Sequence, residues 1–147
     1  SPESETLLFL AARSNLVNEI IEPATKKNDI ILCDRYFDST IAYQGYGRKL
    51  NIDILQKLNE FASQKRIPDL TFLIDISVEV AQQRLIENNK DRFEQEDFEF
   101  FARVRQGYLE IAGKNKNRIH ILKGAETAQI ISDKIWEIIQ KSGFFNS

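Results

Sequence analysis

The stretch Ile30-Ile31-Leu32-Cys33-Asp34-Arg35-Tyr36, followed after two residues by Ser39-Thr40-Ile41-Ala42-Tyr43-Gln44-Gly45, reads as an apolar strand that ends in a charged turn and passes into a helix. An aspartate closing a buried strand lies at the carboxyl edge of a parallel sheet, where α/β proteins bind their ligands. Asp34 at such an edge is a candidate to help hold a phosphate-bound Mg²⁺. Arg35 beside it offers a planar fork for phosphate oxygens. Thr40, Tyr43 and Gln44 stand at helical spacings i, i+3 and i+4, so a hydroxyl, a ring and an amide share one face. That face suits a base and its sugar, and the stretch as a whole reads as a nucleotide site.

Working outward, the apolar positions Leu7, Leu8, Leu10, Ala11, Leu16, Val17, Ile20 and Ile21 recur at three- and four-residue steps and predict a long amphipathic helix from Ser4 to about Lys27, with Ser1 or Ser4 as its cap. Pro23 is expected to bend it or end it near Glu22. Gly45 and Gly47 are expected to weaken the end of the helix that begins near Ser39. Asn51 caps the next, which reaches roughly to Lys65 with Leu55, Leu58, Phe61 and Ala62 inward. Leu70 to Ile76 reads as a second buried parallel strand, leading into a helix from Val78 to about Asn88. A helix from Glu94 to Ala112, a third short strand from Ile119 to Leu122 and a closing helix from Thr127 to Gln140 complete the chain. Alternating strands and helices predict an α/β domain with a parallel sheet flanked by helices, its ligand edge marked by Asp34, Asp75 and Lys123.

The 147 residues suit one domain, and 42% hydrophobic content suffices for a core. With 20 basic and 22 acidic residues the net charge is -2, so nothing drives the chain as a whole toward a nucleic acid polymer or an anionic membrane. No apolar run reaches the ~18 to 20 residues needed to cross a bilayer, and the polar start is unlike a signal peptide, so the expected location is cytoplasmic. The one cysteine, Cys33, is expected to be a buried inert thiol of the first strand. His120 has no second histidine beside it and reads as structural, as do Trp136 and the Phe144-Phe145 pair.

The run from Asp34 to Gly47 resembles the signature of the thymidylate kinases, which are P-loop nucleoside monophosphate kinases. The likeness continues upstream in Leu7-Leu8-Phe9-Leu10-Ala11-Ala12-Arg13 and downstream in Pro68-Asp69-Leu70-Thr71-Phe72-Leu73-Ile74-Asp75 and Asp91-Arg92-Phe93-Glu94-Gln95-Glu96. Four motifs in the family's order cover essentially the whole chain. The resemblance implies phosphoryl transfer from Mg·ATP to dTMP, a homodimer built through the first helix, and a P-loop NTPase-like, three-layer fold with a five-stranded parallel sheet. By the same resemblance Phe9 stacks on thymine, Arg13 reaches its carbonyl edge, and Thr40 or Gln44 bonds the pyrimidine edge. Tyr43 fills the space a 2′-hydroxyl would need, and Arg35 contacts the monophosphate of the acceptor. Without the resemblance, Phe9 would read as core and Arg13 as a solvated charge. Residues from about 88 to 95 correspond to a lid, where Arg92 is the candidate cation for the ATP phosphates and Glu94 orients the nucleotide or a metal-bound water. Arg84 and Lys90 flank it.

One departure stands out: no G-x-x-x-x-G-K-[ST] occurs in the 147 residues. The chain opens on Ser1-Pro2-Glu3 directly ahead of a helical pattern and contains no methionine. The motif order therefore leads us to expect a single kinase domain, residues 1–147, lacking an N-terminal segment with the P-loop strand and one further strand, and inactive on its own. The alternatives are a non-catalytic deoxynucleotide-binding or dimerisation module, or another deoxynucleotide or deoxynucleoside kinase. A sheet without its central strand leaves backbone groups unpaired and apolar edges exposed. The isolated 147-residue chain is accordingly expected to be poorly stable, and a reversible, cooperative thermal melt of the monomer would contradict this.

Overall fold

The computed structural model describes residues 1–87 and 95–144. The chain opens with helix α1, Pro2–Leu16, capped by Ser1, whose Oγ accepts the Ser4 N–H at 3.2 Å. Pro2 in the first turn lacks only an N–H that would have gone unpaired, and Glu3 and Glu5 lie at the positive end of the helix dipole. A π-helical turn, Val17–Ile21, then widens the spiral, with the Glu22 N–H reaching back to the Val17 carbonyl. Helix α2, Glu22–Thr25, follows without a break. Pro23 therefore does not end the helix; it falls just past the π turn, where the hydrogen-bond ladder has already been re-phased. Thr6, Leu10, Val17 and Ile21 form the buried stripe. Leu7, Leu8, Leu16 and Ile20, read from the sequence as parts of the same apolar pattern, are exposed.

The largest correction concerns residues 30–34. They form no strand among the described residues. Ile30 and Leu32 are 65% and 90% exposed, and Cys33 is an exposed thiol rather than a buried one. An apolar run becomes a buried parallel strand only when ladders and helices cover it, and no described strand lies beside this one. Asp34 thus closes an unpaired segment, and Arg35 follows at a φ of +64°.

Helix α3, Phe37–Thr40, runs directly into a second π-helical segment, Ile41–Gly47. Helix α4, Ile52–Ser63, is capped as expected by Asn51, whose side chain accepts the Ile54 N–H at 3.0 Å. It ends two residues early because Gln64 and Lys65 adopt left-handed backbone. Leu55 and Ala62 are buried, but Phe61, expected inward, is 83% exposed. The sheet of the described residues has two parallel strands rather than three, β1 (Thr71–Asp75) and β2 (Ile119–Lys123), in register from Thr71 opposite Ile119 to Asp75 opposite Lys123. Asp75 and Lys123 do share the carboxyl edge. Helices α5 (Val78–Glu87), α6 (Gln95–Lys114) and α7 (Ala128–Lys141) complete the α/β alternation, and Thr127 caps α7.

Helix α6 packs closely on the second π segment because two glycines face it. A Cβ on Gly47 would lie 2.6 Å from Phe100 Cε2 and 2.8 Å from Val104 Cγ2, and one on Gly107 would lie 2.6 Å from the Tyr46 ring. Gly47 thus serves packing rather than merely weakening a helix end. Tyr46 Oη donates to Glu110 at 2.7 Å, and Arg103 donates to the Gly47 carbonyl at 3.2 Å. The contact is tied at both ends.

The helical segment 37–47 is joined to the sheet by a buried ion pair that the sequence does not signal. Asp38 accepts a bidentate fork from Arg118, at 2.7 and 2.9 Å, just before β2. Arg118 also donates to Thr71 Oγ1 at 3.2 Å and lies 5.2 Å from the Phe37 ring centroid. The two residues are 7% and 8% exposed, so removing one partner strands a desolvated charge. In the complete protein, Asp38→Ala and Arg118→Ala should each cost about 3–5 kcal/mol. The double replacement Asp38→Leu with Arg118→Met should cost much less than the sum, as read by urea denaturation.

Candidate functional site

Helix α1 lies beside the 37–47 segment and is bridged to it by two polar rungs. Near its end, Arg13 Nη1 donates to Thr40 Oγ1 at 2.8 Å. Two turns earlier, Glu5 Oε1 accepts from Gln44 Nε2 at 2.8 Å. Because residue 13 meets residue 40 while residue 5 meets residue 44, the two segments run antiparallel. Glu5, Phe9 and Arg13 follow one another at four-residue steps on one face of α1. Phe9 therefore sits between the rungs, and it is 53% exposed. An aromatic surface flanked by an arginine–threonine pair and a carboxylate–amide pair is the right composition for holding a flat, polar-edged ring.

Arg13 is the most heavily engaged of these groups. Besides Thr40, its Nη1 donates to Asn59 Oδ1 at 2.7 Å, and Nη2 donates to the Tyr36 carbonyl at 3.2 Å. Of its five N–H groups, three are thereby committed within the protein, and the one on Nε and the second on Nη2 make no bond among the described residues. Burial pulls its pKa below the ordinary arginine value, while Tyr36 and Asp38 act in the opposite direction. Asn59 also donates to the Phe37 carbonyl at 3.1 Å, so α4 locks both ends of the turn around Tyr36. Tyr36 Oη is buried and finds no partner among the described residues, and burial pushes its pKa up. Thr40 is wholly enclosed against Arg13.

A second group lies around Tyr43. The Arg35 guanidinium carbon is 5.0 Å from the Tyr43 ring centroid. Phe100 and Tyr108 of α6 meet that ring edge-on at 6.1 and 6.2 Å. Tyr108 Oη donates to Ser39 Oγ at 2.7 Å, and burial of its ring pushes its pKa up although Ser39 offsets part of this. Arg35 is exposed, so its cation is placed over an aromatic face while its N–H groups stay open to solvent. At the sheet edge, Asp75 is already occupied by a bidentate fork from Arg105, at 2.7 and 2.8 Å. Arg84 of α5 donates to the Gly124 carbonyl at 2.9 Å.

The structure thus brings Arg13, Thr40 and Gln44 together with Phe9 between them, and sets Arg35 against Tyr43. Asp34 is exposed and is not at a strand end. Arg92 and Glu94, with most of the 88–95 segment, lie outside the described residues. Among the described residues no group of three or more His, Cys, Asp or Glu side chains is arranged to hold a metal ion. Glu5, Ser39, Asn59 and Tyr108 join the site without having been singled out from the sequence. Glu5 was legible from its four-residue spacing to Phe9 and Arg13, and Asn59 as a polar side chain between Leu55 and Ala62 on the inward face of α4. Ser39 and Tyr108 meet across 69 positions of sequence and left no local signal.

Comparison with known proteins gives the chain's family. A family model described as thymidylate kinase matches residues 1–135. A thymidylate kinase of Kosmotoga olearia is 45% identical over 135 residues, covering 91% of this chain and 65% of the relative. One of Fervidobacterium nodosum is 42% identical over 135 residues, covering 92% and 68%. The crystal structure of thymidylate kinase from Ehrlichia chaffeensis superposes with a TM-score of 0.77 at 32% identity, over 95% of this chain and 65% of that one. The chain therefore spans about two thirds of the length of these relatives. Its parallel α/β architecture is that of the P-loop NTPase-like kinases, and the chain belongs to the thymidylate kinase family.

Proposed function

We propose that the complete protein transfers the γ-phosphoryl group of Mg·ATP to dTMP, giving dTDP and ADP for dTTP synthesis, and that this chain supplies the acceptor pocket. The observation that carries the reading is the pair of rungs, Arg13–Thr40 and Glu5–Gln44, with the exposed Phe9 ring between them and the Arg35 cation nearby on the Tyr43 ring. In this reading Phe9 stacks on the base. The uncommitted N–H groups of Arg13 reach a base carbonyl, and Gln44, with Thr40 holding Arg13 in place, meets the pyrimidine edge. Tyr43, buttressed edge-on by Phe100 and Tyr108, fills the volume beside the sugar and so excludes a ribonucleotide. Arg35 grips the monophosphate with charge-assisted hydrogen bonds. Arg92, as the cation of a lid over about 88–95, neutralises charge on the transferred phosphoryl, and Glu94 orients the nucleotide or a metal-bound water.

For Mg²⁺, Asp34 beside Arg35 offers an exposed carboxylate. A single carboxylate fits an ion whose other ligands are nucleotide phosphates and waters, and among the described residues no all-protein cage stands beside it. Such an ion, when bound, offsets charge on the phosphates. A homodimer through α1 is supported by the exposed Leu7, Leu8 and Ile20. A cytoplasmic setting is the reading we favour; no helix of the described residues is long and apolar enough to cross a membrane. The alternative reading is a module that binds deoxynucleotide without transferring phosphate, or a kinase of another deoxynucleotide or deoxynucleoside. Turnover of dTMP by the complete protein separates these readings.

Arg35→Ala should lower kcat/KM for dTMP by about 10²–10³-fold, with little change in Tm because Arg35 is exposed. Near-normal ADP release in a coupled assay would refute its assigned role. Tyr43→Ala should narrow the preference for the deoxyribonucleotide over the ribonucleotide by about tenfold or more, within the range of a filled steric volume. The ratio of the two kcat/KM values measures it.

A further inference from the structure

The Glu5–Gln44 rung has a consequence for base selection that depends on amide polarity. A glutamine side chain presents an N–H donor or a carbonyl acceptor to a ligand, depending on which end its protein partner holds. Glu5 carries a carboxylate, which only accepts, so at 2.8 Å it must hold the Nε2 end of Gln44. The flipped amide would set two oxygens against each other. Arg48 Nη2, 3.7 Å from Glu5 Oε2, keeps the carboxylate in place, and Arg48 is itself stacked 4.7 Å from the Phe100 ring centroid. Gln44 is only 4% exposed, so water cannot readily replace a lost partner and a wrong polarity would be costly. Its carbonyl Oε1 is the end left over.

We propose that Glu5 is a positioning residue that fixes Gln44 with its carbonyl available, so that the pocket accepts a pyrimidine bearing N3–H and rejects one whose N3 is a bare acceptor. Thymine and uracil are of the first kind, and cytosine is of the second. Opposite a fixed carbonyl, cytosine sets lone pair against lone pair, which is selection by an unpaired and repulsive contact as much as by attraction. The inference rests on the reading that this pocket takes a pyrimidine monophosphate, and adds to it the group that sets the polarity of the reader.

The test uses the complete protein and compares kcat/KM for dTMP and for deoxycytidine monophosphate in the unmutated form, Glu5→Gln, Glu5→Ala and Gln44→Leu. Glu5→Gln keeps the volume but offers Gln44 either polarity, so the ratio should fall at least tenfold, chiefly by gain of the cytidine nucleotide. Gln44→Leu should also collapse the ratio. A purely structural role for Glu5 would lower both substrates together and leave the ratio alone. That outcome, with Gln44→Leu still collapsing it, overturns the proposal while the function stands. If the unmutated protein does not take dTMP, the functional reading falls and the proposal with it. Should neither Glu5 variant fold, solvent exchange of the Gln44 side-chain amide in the unmutated protein decides: one Nε2 proton strongly protected from exchange with water supports the carboxylate bond, and two protons exchanging at the rate of a free amide overturn it.

Discussion

The buried bidentate pair between Asp38 and Arg118 is the constraint on which the rest of the site depends. It is a direct polar tie between the segment carrying Arg35, Thr40, Tyr43 and Gln44 and the sheet, because Arg118 immediately precedes β2 and also touches Thr71 of β1. Both charges are desolvated, so each tolerates the interior only because the other is there. Such a pair adds little net stability over apolar side chains of the same shape, but its fork admits one geometry. It therefore sets the azimuth of the 37–47 helix, and with it which side chains turn toward α1 and which toward α6.

From that fixed azimuth the two halves of the site follow. One face of the segment meets α1 through Thr40 and Gln44, and another meets the aromatic side chains of α6 through Tyr43. The π-helical widening at Ile41–Gly47 alters the usual spacing along the segment, while Gly47 and Gly107 let α6 approach closely enough for Phe100 and Tyr108 to reach the Tyr43 ring. A wider glycine-free contact would leave that ring without its lateral supports. Asn59 plays the corresponding part on the other side. By bonding both Arg13 and the Phe37 carbonyl, it makes α1, α3 and α4 one unit around the turn at Tyr36.

This division separates holding from contacting. Asp38, Arg118, Asn59, Tyr108 and Ser39 are committed to other groups of the protein, and their role is to orient. In the proposed reading Phe9, Arg35, and the N–H groups of Arg13 and the Gln44 carbonyl that make no bond among the described residues are left for the ligand. The exposed apolar residues, among them Ile30, Leu32, Ile74 and Ile121, belong to neither group. They mark faces of the sheet region that the described residues leave uncovered.

Most helices were legible in the sequence because periodicity and caps are local: Asn51 and Thr127 announce their helices, and the apolar β-branched runs at 71–75 and 119–123 announce strands. The same local logic misread Ile30–Asp34, since a run of apolar residues states a capacity to be buried and not the presence of a partner. It also placed Phe61 inward and treated Leu7, Leu8 and Ile20 as equal to Leu10, because a hydrophobic pattern defines a broad face without saying which stripe is covered. For the site, sequence alone determined the residue types, Phe9 and Arg13 on one helix and Thr40, Tyr43 and Gln44 on another. It expected the last three on one face, whereas the structure turns Thr40 and Gln44 toward the Phe9–Arg13 face of α1 and Tyr43 toward α6, across the widened π-helical spacing. Only the tertiary structure decided that these helices meet antiparallel, that Arg13 holds Thr40 and Glu5 holds Gln44, and that Asp38 lies buried on Arg118. Those pairings span 27, 39 and 80 positions, and contacts at such separations are set by how elements pack, which no local pattern encodes.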